Sequence, residues 1–286
     1  MRWSDRRKRF RALLAGDGCI HPASVFDPLS ARIAEDLGFE AGMFAGSVAS
    51  LTVLGAPDVV VLTLSEFAEQ AQRICRAGEM PVMVDADHGY GNGLSVARTI
   101  EELETVGIAA ATIEDTALPQ PYGAAAPQLT SVEEGAGKMR AALAARRDPD
   151  FVVVGRTSAV SISGVDDAIA RAKAYEKTGV DALFFTGVQA HEQLDAIAAA
   201  VTLPIILGNS PAEWSAQDLA PKGVRIALRG HQPIAAAVQA IYDTMKALRE
   251  GTPPSALKGL PAPALMDRVT RAGAYKTAQD DFLGLR

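Results

Sequence analysis

The stretch PVMVDADHGYG, residues 81–91, decides how the chain is read. It begins with residues that bury on either face of a strand and ends at once in two aspartates and a histidine. An apolar run without polar alternation belongs to a strand covered on both sides, and so to a parallel sheet wrapped by helices. Seven further runs of the same kind surround it: CIHPASVF (19–26), AGMFAG (41–46), IAAATIE (108–114), FVVVGRT (151–157), VDALFFT (180–186), LPIILGN (203–209) and VRIALRG (224–230). Between them lie stretches with helical spacing, such as SVARTIEELETVG (95–107), DDAIARAKAYEKTG (166–179) and HEQLDAIAAAV (191–201). Gly38, Gly107 and Gly179 stand where such helices end and supply the left-handed exit a helix C-terminus favours.

Eight strand–helix repeats, with no GxGxxG after the first strand, predict an α/β protein built as a (β/α)8 TIM barrel rather than an open dinucleotide-binding sheet. The catalytic domain is expected over residues 1–250. Residues 251–286, a linker through EGTPPSALKGLPAP (250–263) and a final helix, are expected to form an extension that packs on a neighbouring subunit. Ser4 is expected to cap a helix through RRKRFRALLA (6–15) whose basic side chains lie in solvent. No long apolar segment follows this basic start, as a secretory signal would require.

Lys and Arg number 28 against 34 Asp and Glu, a net charge of −6 that offers no electrostatic footprint for nucleic acid. No apolar run has the length of a membrane span. Two cysteines, Cys19 and Cys75, make neither a disulfide framework nor a zinc knuckle, and fit a reducing cytoplasm. The expected partner is a small molecule.

In a barrel the chemistry sits where strands end. Asp85 and Asp87 lie two apart at such an end and so share a face. The next strand ends in Glu114 and Asp115. Acids at strand ends often only cap helices, but three crowded into one mouth repel each other, and a hard dication such as Mg²⁺ or Mn²⁺ resolves that conflict. Asp58 can reach the same mouth from the loop containing GAPD (55–58). Arg156 emerges from the fifth strand with a fork suited to a carboxylate, the alternative being an ion pair with Glu114 or Asp115. Gly46 and Ser47 leave backbone amides open to a carboxylate or enolate oxygen. Asn209 is either a substrate donor or a turn-former before Ser210-Pro211. His231, just before the eighth helix, is either a neutral hydrogen-bond donor to substrate or a simple cap. His88 has three readings: metal ligand, substrate contact or loop residue. His21 is read as structural. Gly89, Tyr90 and Gly91 are expected to shape the turn, and TALPQPYGAAAPQLT (116–130) to form a long loop.

Taken together, FAGSVAS (44–50), GAPD (55–58), VDADHGYGN (84–92), IED (113–115), VVVGRT (152–157) and LGN (207–209) resemble the isocitrate lyase and phosphoenolpyruvate mutase superfamily, in family order over roughly residues 20 to 245. His88 stands where the family pattern DADTGYG has threonine. The resemblance implies Asp85 as the direct magnesium ligand, with Asp58, Asp87 and Glu114 acting through water. It implies Arg156 as the clamp on a substrate carboxylate and Ser47 with its neighbouring amides as the oxyanion site. It also implies a homotetramer with an exchanged C-terminal helix. The loop 116–130 has none of the cysteine, lysine or histidine that the lyases and phosphonate enzymes carry there. His231 in RGHQP instead matches the branch that decarboxylates oxaloacetate to pyruvate through a metal-stabilised enolate. The expected site is therefore His231, Arg156 and Asp58 for catalysis, with Ser47, Gly46, Asn209 and His88 added for substrate. Asp85, Asp87 and Glu114 are assigned to Mg²⁺, for which Mn²⁺ can substitute.

Overall fold

A computed structural model describes residues 3–285 of the chain. Eight strands run in sequence order and pair in parallel: β1 (Ala23–Ser24), β2 (Gly42–Phe44), β3 (Val82–Asp85), β4 (Ala110–Glu114), β5 (Val152–Thr157), β6 (Ala182–Thr186), β7 (Ile205–Gly208) and β8 (Val224–Ala227). Each lies inside one of the eight apolar runs. A parallel bridge between Ile20 and Ile226 joins the segment ahead of β1 to β8 and closes the ring. The expected barrel is present.

The register separates two faces. Met43, Met83, Ala110 and Val152 are successive partners and share the inner face. Phe44, Val84, Ala111 and Val153 form the adjacent row, turned toward the helices. There Phe44 stacks on Phe67 of the helix Leu64–Ala77, with ring centroids 4.9 Å apart and both side chains fully buried. Two buried aromatics of this size contribute several kcal/mol, about 1.5–3 each by burial alone. Gly38, Gly107 and Gly179 all have left-handed φ, between 83° and 96°, as the helix-ending positions require.

The first helix corrects an expectation. It spans Trp3–Ala15, so Ser4 lies inside it, and its hydroxyl donates to Asp148. Its basic side chains divide: Lys8 and Arg9 are exposed as expected, but Arg6 and Arg7 are only 6% and 4% exposed. Arg7 pairs with Asp148 at 2.7 Å and donates to the Ile108 carbonyl, which lies just ahead of β4. Arg11 reaches Asp181 and the Phe151 carbonyl, just ahead of β6 and β5. The helix thus seals the end of the barrel where strands begin. Guanidinium groups do this because each offers several donors to backbone carbonyls that strand starts leave unpaired.

The chain divides into two compact units, Met1–Gly230 and His231–Arg286. The helix following β8, Gln232–Arg249, therefore groups with the tail, ahead of the linker at which the sequence suggests a boundary. The second unit holds this helix and two more, Pro263–Thr270 and Ala272–Leu283. No residue of Gln232–Arg249 is buried, and Val238, Ile241, Tyr242, Met245 and Leu248 are exposed along one helical stripe. No helix among the described residues is long and apolar enough to cross a membrane.

Candidate active site

Strand geometry brings the predicted charges together. Asp85 ends β3 and Asp87 follows two residues later. Glu114 ends β4 and is the register partner of Arg156 on β5. Arg156 donates to Asp85 and lies 3.1 Å from Glu114, with its guanidinium 5.3 Å over the ring of Phe184, its partner on β6. Thr112 and the Asp87 amide both donate to the other Asp85 oxygen, at 3.1 and 3.2 Å. Of the two ion pairs open to Arg156 in sequence, the structure forms the one with Glu114.

These groups line a cavity of about 350 Å³. Asp58 and Val60 enter it from the loop after β2, and Leu118 and Pro127 from the long loop after β4. A larger hollow of about 540 Å³ lies elsewhere, over helix surfaces between Asn92 and Ala145, with Glu101 as its one charged lining residue among those described. The strand-end cavity is where the chemistry is concentrated.

Its electrostatics are strained. Burial, then the charges of Asp85 and Glu114, push the Asp87 carboxyl well above the ordinary range. Burial also raises Glu114, against the pull of Arg156. Burial opposes the charge on Arg156, but Asp85 and Glu114 outweigh it and the guanidinium stays ionised. The backbone is strained too: Asp87 and Val60 have φ of 47° and 57°, in the left-handed region that side chains avoid, β-branched ones above all. Gly46 explains how the turn after β2 comes so close to Asp87. A Cβ there would come within 2.7 Å of the Asp87 carboxylate. Ala45 gives the turn Gly46–Ala49 no side-chain cap, so the first amides of that turn, at Gly46 and half-buried Ser47, have no intrahelical acceptor.

Asp115 is part of a different assembly. Fully buried, it accepts from the Tyr175 hydroxyl at 2.6 Å and from Arg171 at 3.1 Å. Arg171 also donates to the Thr130 carbonyl, and the Thr130 amide donates to the Asp115 carbonyl at 2.8 Å. A bridge between Thr116 and Leu129 completes the anchorage of both ends of the loop 116–130.

Of the other sequence candidates in the first unit, Gly46, Ser47, His88 and Asn209 are not among the residues that line the cavity. His88 is 4% exposed, and its carbonyl accepts from buried Lys138 at 3.0 Å. Burial, and then Lys138, push its imidazole down to about 4. Asn209 is exposed, with φ 53° in the turn after β7. His231 opens the second unit ahead of Gln232–Arg249 and makes no side-chain cap bond. Cys19 and Cys75 are pushed up by burial to about 11 and about 12, so both stay thiols.

Sequence reasoning missed the hydroxyls of Thr116, Ser158, Ser161 and Thr186, all of which line the cavity. A signal existed for three of them. Thr116 and Ser158 lie two residues beyond Glu114 and Arg156, and Thr186 closes its own apolar run.

The donor chemistry of the cavity fits a divalent cation. Asp85, Asp87, Glu114 and Asp58 are hard oxygen donors whose mutual repulsion a dication relieves. Among the described residues no three such groups form a ready-made cage. Arg156 bridges two of them instead.

Comparison with known proteins gives a consistent result. The sequence model of the phosphoenolpyruvate phosphomutase family matches residues 10–249. The oxaloacetate decarboxylase of Rhodopseudomonas palustris strain BisB18 is 60% identical over 287 aligned residues, covering 100% of both chains. That of Bradyrhizobium diazoefficiens is 58% identical over the same span and coverage. Among solved structures, oxaloacetate acetylhydrolase bound to the inhibitor 3,3-difluorooxalacetate superposes with a TM-score of 0.86 at 29% identity, over 99% of this chain and 98% of the other. A complex of phosphonopyruvate hydrolase with oxalate and Mg²⁺ superposes with a TM-score of 0.88 at 26% identity, over 97% and 99%.

Proposed function

The chain belongs to the phosphoenolpyruvate phosphomutase family, and from that premise we propose that it removes CO₂ from oxaloacetate to leave pyruvate. The observation that carries this reading is one cavity in which a carboxylate cluster and a single half-buried arginine meet, in a chain alike over its whole length to proteins of that activity. Asp85, with Asp87, Glu114 and Asp58, would hold Mg²⁺, or Mn²⁺ in its place. When bound, such an ion supplies Lewis-acid stabilisation of negative charge growing on a carbonyl oxygen.

The remaining work falls to the chain itself. Arg156 retains a buried Nε–H without a protein acceptor, a demand that the C1 carboxylate of the substrate satisfies. The amides at Gly46 and Ser47 receive oxygen charge. Val60, Leu118 and Pro127 give the cavity an apolar rim that limits water. The C3–C4 bond then breaks, its electron pair passes into the enolate of pyruvate, C4 leaves as CO₂, and C3 takes a proton. His231, Asn209 and His88 keep hydrogen-bonding roles on the strength of the sequence alone. His231→Gln is expected to lower kcat more than it changes KM, and unchanged kinetics would remove it.

A panel of oxaloacetate, 2-methylisocitrate, isocitrate and phosphonopyruvate, each with Mg²⁺, tests the reading. Pyruvate and CO₂ from oxaloacetate alone is the expected result. Oxalate and acetate would instead mark a hydrolase, and turnover of another substrate a different lyase. Asp85→Ala should lose both Mg²⁺ binding and turnover. Normal Mg²⁺ affinity in calorimetry would contradict that assignment.

Two further elements belong to the same proposal. The exposed stripe Val238, Ile241, Tyr242, Met245 and Leu248 is taken to pack on a second copy of the chain within a homotetramer. The unpaired thiols of Cys19 and Cys75 are in keeping with a reducing cytoplasm.

A further inference from the structure

Ser158, Ser161 and Thr186 line the cavity, yet nothing in the chemistry above uses them. Strand alternation sets Ser158 one step beyond Arg156 on the same face, and Thr186 one step beyond Phe184. Since Arg156 and Phe184 are register partners, the two hydroxyls meet, and Thr186 Oγ1 donates to Ser158 Oγ at 2.9 Å. Glycines make room for this row. A Cβ on Gly208 would approach the Thr186 methyl to 3.1 Å, and one on Gly187 would approach Ser161 Cβ to 2.8 Å. The result is a seated, uncharged polar patch one layer beyond the guanidinium. Among the described lining residues Arg156 is the one cation, and Asp85 and Glu114 already engage it.

We infer that the Ser158–Thr186 pair is the subsite for the carboxylate that departs as CO₂, and so the determinant selecting a four-carbon 2-oxo diacid. This rests on the decarboxylation reading. The C4 carboxylate is charged in the bound substrate and leaves as a neutral molecule, its bonding pair staying with C3. A cation at that position would stabilise the substrate more than the transition state, whereas neutral donors orient the group without opposing loss of its charge. The pair is suited to this. With the Thr186 proton shared to Ser158, the Ser158 proton remains to be donated outward.

The test compares two probes by calorimetry in the presence of Mg²⁺. Oxalate lacks the outer carboxylate, and 3,3-difluorooxaloacetate retains it. Thr186→Val and Ser158→Ala should each weaken difluorooxaloacetate by about tenfold and leave oxalate within about twofold, with kcat/KM for oxaloacetate falling in step. Thr186→Ser should recover most of the loss. Equal weakening of both probes, or of neither, would overturn the subsite. A wild-type enzyme that binds both probes in this pattern but releases no CO₂ from oxaloacetate would sink the decarboxylation reading alone. Undiminished decarboxylation in both variants would sink the subsite alone.

Discussion

Arg156 is both a structural and a chemical residue, because the two carboxylates that keep it charged are the same ones that invite a cation. Arg156→Lys preserves charge but loses the planar fork, so KM for oxaloacetate should rise by about tenfold or more. An unaltered KM would show that the guanidinium does not grip substrate. Asp87 carries a pH signature. Its folded carboxyl is raised by burial, then by Asp85 and Glu114, so the native state holds a proton at pH values where the unfolded chain, near the ordinary ~3.9, has lost it. Its contribution to stability is therefore full at low pH and is lost as pH climbs through the raised value. Denaturation without divalent ions should show this decline, and Asp87→Asn should flatten it. Mg²⁺ binding must release that proton, so affinity should increase with pH, as titration in buffers of different ionisation enthalpy can measure. The charged members of this cluster were legible because three acids crowd the ends of two neighbouring strands, which helix capping alone does not explain. The hydroxyls were not, since Ser and Thr are common at strand ends and only the pairing across β5 and β6 distinguishes them. The surroundings of His88 were equally hidden, because Lys138 lies 50 residues away in the chain.

At the scale of elements, all eight strands were legible because each falls in a mainly apolar run between stretches with helical spacing, even where Ser24 in β1 or Arg225 in β8 interrupts it. The helix Trp3–Ala15 was read as solvated because its arginines find acceptors in carbonyls of distant segments, which no local pattern announces. The anchorage of the loop 116–130 escaped the sequence for the same reason. It depends on a close fit between elements: in the helix Val132–Ala145, a Cβ at Gly135 would fall 2.3 Å from the Tyr175 hydroxyl that holds Asp115. Alanine ordinarily favours a helix by up to about 1 kcal/mol over glycine. Here Gly135→Ala should instead lower stability by about 1–3 kcal/mol, because the crowded tyrosine must move. Urea denaturation measures the difference, and a stabilised variant would refute the fit.

At the scale of the whole molecule, the barrel and a helical C-terminal extension were legible, but the single final helix expected there is two helices, broken at Arg271 with φ of 60°. The linker 250–263 looks like a boundary by composition, whereas contacts group the helix Gln232–Arg249 with the tail. The stripe of exposed apolar residues on that helix should make the chain associate, with light scattering at micromolar concentration giving a mass of about four copies. Replacing Ile241 and Met245 together by Glu should lower that mass without unfolding the barrel, as circular dichroism would record. The closing helix at the strand starts has a consequence for biosynthesis. Arg7 and Arg11 leave the ribosome 141 and 170 residues before their carboxylate partners. Until most of the polypeptide has been made, those cations have no counterpart, and the nascent barrel stays open at its base. Contacts spanning so much chain form late and slow the final folding step. A chaperone that shields this unfinished base has its longest opportunity in that interval.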